Sequence, residues 1–127
     1  MKQAFVYMIR CEDNSVYTGI TKDLKKRLTQ HYEQAKECAR YTKSHRMTGV
    51  EAVFIAENWS EAARLEYAIK KLPKQKKETL IRKPHIVQEM FEKQLGGCRF
   101  RVADPEIYAD IMDCQLNLQV TGTSGPE

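Results

Sequence analysis

Residues 3–10 (Gln-Ala-Phe-Val-Tyr-Met-Ile-Arg) and 15–20 (Ser-Val-Tyr-Thr-Gly-Ile) are dense in aromatic and β-branched side chains, the types that pack well on a pleated surface. The polar cluster Glu12-Asp13-Asn14 separates them, so the pair predicts a β-hairpin. An odd turn, such as three residues at Asp13 to Ser15, puts Tyr7 and Tyr17 on one face, whereas an even turn separates them. Thr21 then reads as a helix cap with Asp23 in the first turn, and Leu24, Leu28, Tyr32 and Ala35 recur at helical spacing to about residue 37. From Cys38 to Gly49 no apolar period is visible, and Arg40, Lys43, His45 and Arg46 make a basic connector. Residues 50–57 predict a third strand, and Ser60 an N-cap for a helix over 61–72 carrying Ala62, Leu65, Ile69 and Leu72.

Pro73 interrupts, and Lys74 to Arg82 predicts a short basic helix restarted after it. The order β-β-α-β-α-α lacks the strict alternation of a parallel sheet. It predicts an α+β fold, with a three-stranded, largely antiparallel sheet flanked by helices. Residues 85–95 read as helical up to Gly96-Gly97, and Asp104-Pro105 opens a last helix with Ile107, Ile111, Cys114 and Leu118 at helical spacing. The small polar tail from Thr121 to Glu127 is expected to be loose. The division is therefore a domain over 1–83 and a helical extension over 84–127, packed on that domain or on a partner.

At 127 residues and 42% hydrophobic composition, the chain fits one globular core. No apolar run approaches the roughly 20 residues of a membrane span, and the first apolar stretch is cut by Arg10 without a cleavage signal after it. Membrane insertion and secretion are not expected. Four dispersed cysteines, Cys11, Cys38, Cys98 and Cys114, form no Cys-x-x-Cys pair, which fits reduced thiols in the cytoplasm rather than zinc or disulfides.

Charge adds the first functional hint. Residues 22–83 hold sixteen Lys/Arg against eight Asp/Glu, a balance of +8, while residues 84–127 hold three against seven, a balance of −4. Such a basic segment can neutralise several phosphates, so a polyanion is a natural partner. A solvated lysine-rich surface would read the same way.

Three polar residues border faces that should be buried. At about 100° per residue, His31 projects about 20° outside the Leu24–Leu28–Ala35 stripe and Arg27 about 40° further, while Glu66 lies about 40° beyond Ala62 on the later helix. A carboxylate there is costly unless paired or bound to a cation. Taken alone, these positions fit a partly buried Arg–Glu pair and a hydrogen-bonded histidine equally well, and the two tyrosines fit ordinary strand aromatics.

Together, Val6-Tyr7, then Tyr17-Thr18-Gly19, then Arg27 and His31 on a helix, then Glu66 in Glu66-Tyr67-Ala68-Ile69-Lys70-Lys71-Leu72 resemble the GIY-YIG nuclease superfamily. Phe5 to Cys11, Ser15 to Thr21, Asp23 to Leu28 and Tyr41-Thr42 are most similar to its small, stand-alone bacterial single-domain members. The resemblance covers residues 3 to about 83. Phe5 replaces the first motif's glycine, Val6 and Thr18 replace isoleucines, and Arg46-Met47-Thr48 stands where an Arg-Pro pair is usual.

The resemblance implies metal-dependent phosphodiester cleavage, with Glu66 as the single acidic ligand of Mg²⁺ or Mn²⁺. Tyr7 and Tyr17 match the motif tyrosines, Arg27 the catalytic arginine and His31 the polar residue one turn later. Tyr7 is favoured as the base, with Tyr17 hydrogen-bonding the water or the phosphate; the sequence does not order the two, and His31 sharing the base role is a further alternative. Gly19, Lys26, Arg40, Lys43, Arg46, Lys70, Lys71 and Lys74 are candidate nucleic-acid contacts, with DNA expected before RNA. The resulting expectation is an endonuclease, structure-selective in repair or recombination. The main alternative is a nucleic-acid-binding module with little catalysis. A third reading is an interaction protein that dimerises or docks a partner through the C-terminal stripe.

Overall fold

A computed structural model describes residues 3–33 and 47–108. Strand β1 (Ala4–Cys11) and strand β2 (Val16–Thr21) form the expected hairpin, followed by helix α1 (Leu24–Glu33). Strand β3 (Met47–Ala56), helix α2 (Trp59–Lys70) and helix α3 (Lys74–Arg82) come next. A 3₁₀ turn (Pro84–Ile86), two single-turn helices, α4 (Val87–Met90) and α5 (Glu92–Leu95), and strand β4 (Phe100–Val102) complete the described chain.

The sheet has four strands rather than three, in the order β2-β1-β3-β4. All the pairings are antiparallel. The additional strand pairs Phe54 with Val102 and Ala56 with Phe100. Three residues are too few to show a period-two pattern, so this strand has no signature of its own. It is held from the side by Gln88, whose amide donates to Cys98 O at 2.8 Å and accepts from Phe100 N at 3.0 Å.

The hairpin turn spans Glu12, Asp13 and Asn14, one residue earlier than the Asp13–Ser15 turn expected. Asn14 N donates to Cys11 O, Cys11 N donates to Ser15 O, and Asn14 carries φ 70°. A three-residue loop with its last residue left-handed preserves odd parity. Tyr7 and Tyr17 therefore share a face. β3 begins earlier than predicted and is irregular opposite Met8/Ile9 and Arg10/Cys11. The first irregularity skips Glu51 in the pairing and turns Val50 to the same side as Val53 and Ile55.

Helices cover both faces of the sheet. Tyr7, Ile9, Val53 and Ile55 pack with Leu24 and Leu28 of α1, whereas Val6, Met8 and Phe54 pack with Ala62, Leu65 and Ile69 of α2 and Leu80 of α3. Val87, Phe91, Leu95, Cys98 and Phe100 belong to the second of these clusters. The predicted 85–95 helix is broken at Phe91, but its i, i+4 burial spacing of Val87, Phe91 and Leu95 survives the break.

Helix caps also differ from expectation. Asn58, not Ser60, caps α2, its side chain accepting from Glu61 N at 2.9 Å. Asp23 accepts from Lys26 N, while the Thr21 hydroxyl accepts from Asp23 N. Asp104 does accept from Glu106 N, and a helical turn follows to Tyr108. Ala35, Ile111, Cys114, Leu118 and the Thr121–Glu127 tail lie outside the described residues.

Candidate active site

Tyr7 projects from the middle of β1 toward α1 and is fully buried. Its hydroxyl lies 2.8 Å from Nε2 of His31, which is equally buried. Across the hairpin Tyr7 pairs with Gly19, and the phenol lies over that glycine so closely that a Cβ there would stand 2.6 Å from Cζ. No glycine among the described residues has positive φ, so Gly19 is needed for space rather than for backbone freedom. The half-buried Tyr17 completes a triangle of rings, with centroids 6.4 Å from Tyr7 and 5.5 Å from His31; Tyr7 and His31 are 5.4 Å apart.

Arg27 lies one turn before His31. Its Nη1 donates to Gln30 Oε1 at 3.0 Å, and its positive charge acts on the Tyr7 phenol. Burial pushes the Tyr7 phenol above its ordinary range, Tyr17 and Glu66 add to that, and Arg27 acts in the opposite sense. Burial, then the charge of Arg27, holds His31 down at about 4. At neutral pH the pair is thus a neutral phenol beside a neutral imidazole, sharing one hydrogen bond that either partner can donate.

Glu66 comes from α2, in the opposite layer, yet its charge is felt at Tyr7. Residues of both layers, Arg27 of α1 and Trp59 of α2, line one groove with Ile20 and Thr21 of the edge strand β2. The Glu66 carboxylate is 21% exposed and lies 3.1 Å from Lys70 Nζ. Among the described residues no group of three or more His, Cys, Asp or Glu could hold a metal. A single accessible carboxylate, paired among the described residues with an i, i+4 lysine, fits a hard divalent cation that keeps several waters and takes phosphate oxygens. It does not fit a closed zinc-type site.

The basic candidates divide. Lys26 lines an open groove with Thr21, Lys22, Arg27, Gln30 and Trp59. Lys71 stands over the ring of Tyr67 at 4.9 Å, and Lys74 donates to Asn14 O at 2.7 Å and lies 3.4 Å from Glu78. Arg40, Lys43 and Arg46 lie outside the described residues. Lys22, Gln30 and Trp59 were missed in the sequence. The available signal was Trp59, placed two helical turns before Glu66 on the same side of the helix.

The chain is a member of the GIY-YIG catalytic domain family, whose model matches residues 3–79. It is 48% identical over 80 residues to UPF0213 protein FN1575 of Fusobacterium nucleatum, covering 63% of this chain and 78% of that protein. It is 36% identical over 92 residues to UPF0213 protein CPE1444 of Clostridium perfringens, covering 72% of this chain and 97% of the relative. The solution structure of UPF0213 protein BH0048 from Bacillus halodurans matches at 30% identity and TM-score 0.41, covering 72% of this chain and 97% of that one. The family is one of endonucleases acting on nucleic acid. Among the described residues no helix is long and apolar enough to cross a membrane.

Proposed function

We propose that this protein is a divalent-metal-dependent endonuclease that hydrolyses phosphodiester bonds in DNA. The observation that carries the reading is the buried 2.8 Å contact between Tyr7 and His31, with Arg27 one helical turn before that histidine. Phosphodiester hydrolysis must remove a proton from water and accommodate extra negative charge on the phosphate. Tyr7 and His31 supply the proton path. As the phenol oxygen takes the water's proton, its own O–H proton passes to Nε2 of His31, giving an imidazolium that burial and Arg27 disfavour until the anionic phosphate lies beside them. The neutral state of His31 keeps that acceptor open.

Arg27 meets the second requirement, because its guanidinium can bond two phosphate oxygens in a fork. Glu66 is the residue that would hold Mg²⁺ or Mn²⁺; such a cation, when bound, supplies Lewis-acid stabilisation of the phosphate oxygens. Lys70, which pairs with Glu66 in the free protein, is positioned to turn to a phosphate once the carboxylate is engaged.

The test is incubation of wild type, Tyr7→Phe and Glu66→Ala with labelled single-stranded, duplex, flap and four-way DNA and an RNA, in Mg²⁺, Mn²⁺ or chelator. Cleavage by wild type with metal, lowered by about 10²–10⁴-fold in Tyr7→Phe and by about 10²–10³-fold in Glu66→Ala, is expected. Salt-sensitive binding without any product would replace this reading by a binding module.

A further inference from the structure

Resting on the nuclease reading of the neighbouring site, we propose that Trp59 is a stacking platform for an unpaired base within about three nucleotides of the scissile phosphate. The site would then take single-stranded or locally unpaired nucleic acid rather than continuous duplex. Trp59 opens α2 and is 43% exposed, so part of its ring is open to a stacking partner. It is seven residues from Glu66, so the two lie on one side of the helix and about 10.5 Å apart along its axis. That distance is about three stacked nucleotides at 3.4 Å each, and fewer in an extended strand.

Charge identifies the occupant. Lys22 Nζ stands 5.5 Å from the indole centroid, and Lys26 and Arg27 line the same groove, Arg27 lying one helical turn before His31. The groove's carboxylate, Asp23, is turned to its own helix, accepting from Lys26 N at 3.1 Å. Cations that track a phosphate backbone beside an aromatic face are the parts of a single-strand groove. In a continuous duplex the base faces cover one another, and an indole cannot reach them without extrusion of a nucleotide. A ring carries no preference between deoxyribose and ribose, so the shared chemistry is an unpaired base on a phosphate strand.

Trp59 is the chain's sole tryptophan, which makes its emission a direct reporter. Wild-type protein in chelator is titrated with an oligothymidine strand, an oligouridine strand of equal length and a blunt duplex. The single strand should quench the indole and the duplex should bind without quenching; equal quenching by DNA and RNA strands places recognition in base and phosphate, and quenching by only one adds a sugar contact to the platform. Followed through the anisotropy of a labelled strand, Trp59→Ala should weaken single-strand binding about 5- to 100-fold. Duplex binding should stay within about two-fold, and Trp59→Phe should recover most of the loss. Quenching by duplex equal to that by single strand, or single-strand binding unchanged in Trp59→Ala, would overturn the proposal. Cleavage is scored separately with Mg²⁺. A cut strand with a silent Trp59 removes the platform and leaves the nuclease, while a quenched Trp59 without product in any metal supports the platform and removes the nuclease.

Discussion

Gly19 and Tyr7 constrain each other more tightly than any other pair in the site. The phenol occupies the volume that a side chain at residue 19 would need, and β1–β2 pairing holds both backbones. Gly19→Ala is expected to cost about 1–3 kcal/mol by overpacking and, by moving the phenol off His31, about 10²-fold in turnover; a thermal melt and a cleavage assay read the two effects. His31 adds a pH dependence. Its folded value of about 4 lies below the ordinary 6.5, so the unfolded chain takes up the proton first. The contribution of the neutral imidazole is whole above about 6.5 and declines as pH falls toward 4. Urea titrations across that window should show stability falling, with a shallower slope in His31→Gln. Strand periodicity put Tyr7 and Tyr17 on one face for an odd turn, and helical periodicity put Arg27 and His31 beside one buried stripe, because side-chain direction follows directly from spacing; only the family resemblance joined the two pairs. The reason for Gly19 was not legible, since it lies in how a ring crosses a neighbouring strand. Thr18, where the family has isoleucine, faces the other core with its hydroxyl buried and without a partner among the described residues.

Elements were more legible than their ends. All three predicted strands and the first three helices are present, because their apolar positions repeat often enough to reveal a period. The ends depend on single hydrogen bonds that neighbouring residues can supply equally well. Asn58 and Ser60 are both good capping residues, as are Thr21 and Asp23, and only the backbone path selects Asn58 and Asp23. Asn58→Ala should lower stability by about 1 kcal/mol by releasing Glu61 N, whereas Ser60→Ala should leave the melting temperature nearly unchanged. Because α2 carries both Trp59 and Glu66, fraying at its start also disturbs the groove beside the site.

Among the described residues the sheet lies between unequal layers, α1 and Tyr108 on one side and α2, α3, α4 and α5 on the other. Phe91 is buried in the same cluster as Val6, Met8 and Phe54. Phe91→Ala should therefore cost about 3–5 kcal/mol in a single transition that melts the family-matched region with it, as circular dichroism and tyrosine fluorescence together would show. Two separable transitions would mean that residues 84–103 fold apart. Long-range charge was the least legible part. Arg10 binds Glu78 through both Nη atoms at 2.6 and 2.7 Å and Glu51 through Nε at 2.8 Å, joining residues that no local pattern relates.

The hairpin tip carries one last consequence, for the order in which the chain assembles. The Asn14 carbonyl accepts from Lys74 at 2.7 Å and Arg10 at 3.2 Å, but its turn needs only the nearest residues to close. Pairing of β1 with β3, and of β3 with β4, must wait for much longer loops. A transition state built around the hairpin and β1–β3 would then make Asn14→Ala slow refolding, whereas Phe100→Ala in β4 would chiefly hasten unfolding. Stopped-flow chevrons of the two variants would show opposite limbs moving. The strand that the sequence concealed would then be the one that governs how long the folded molecule lasts.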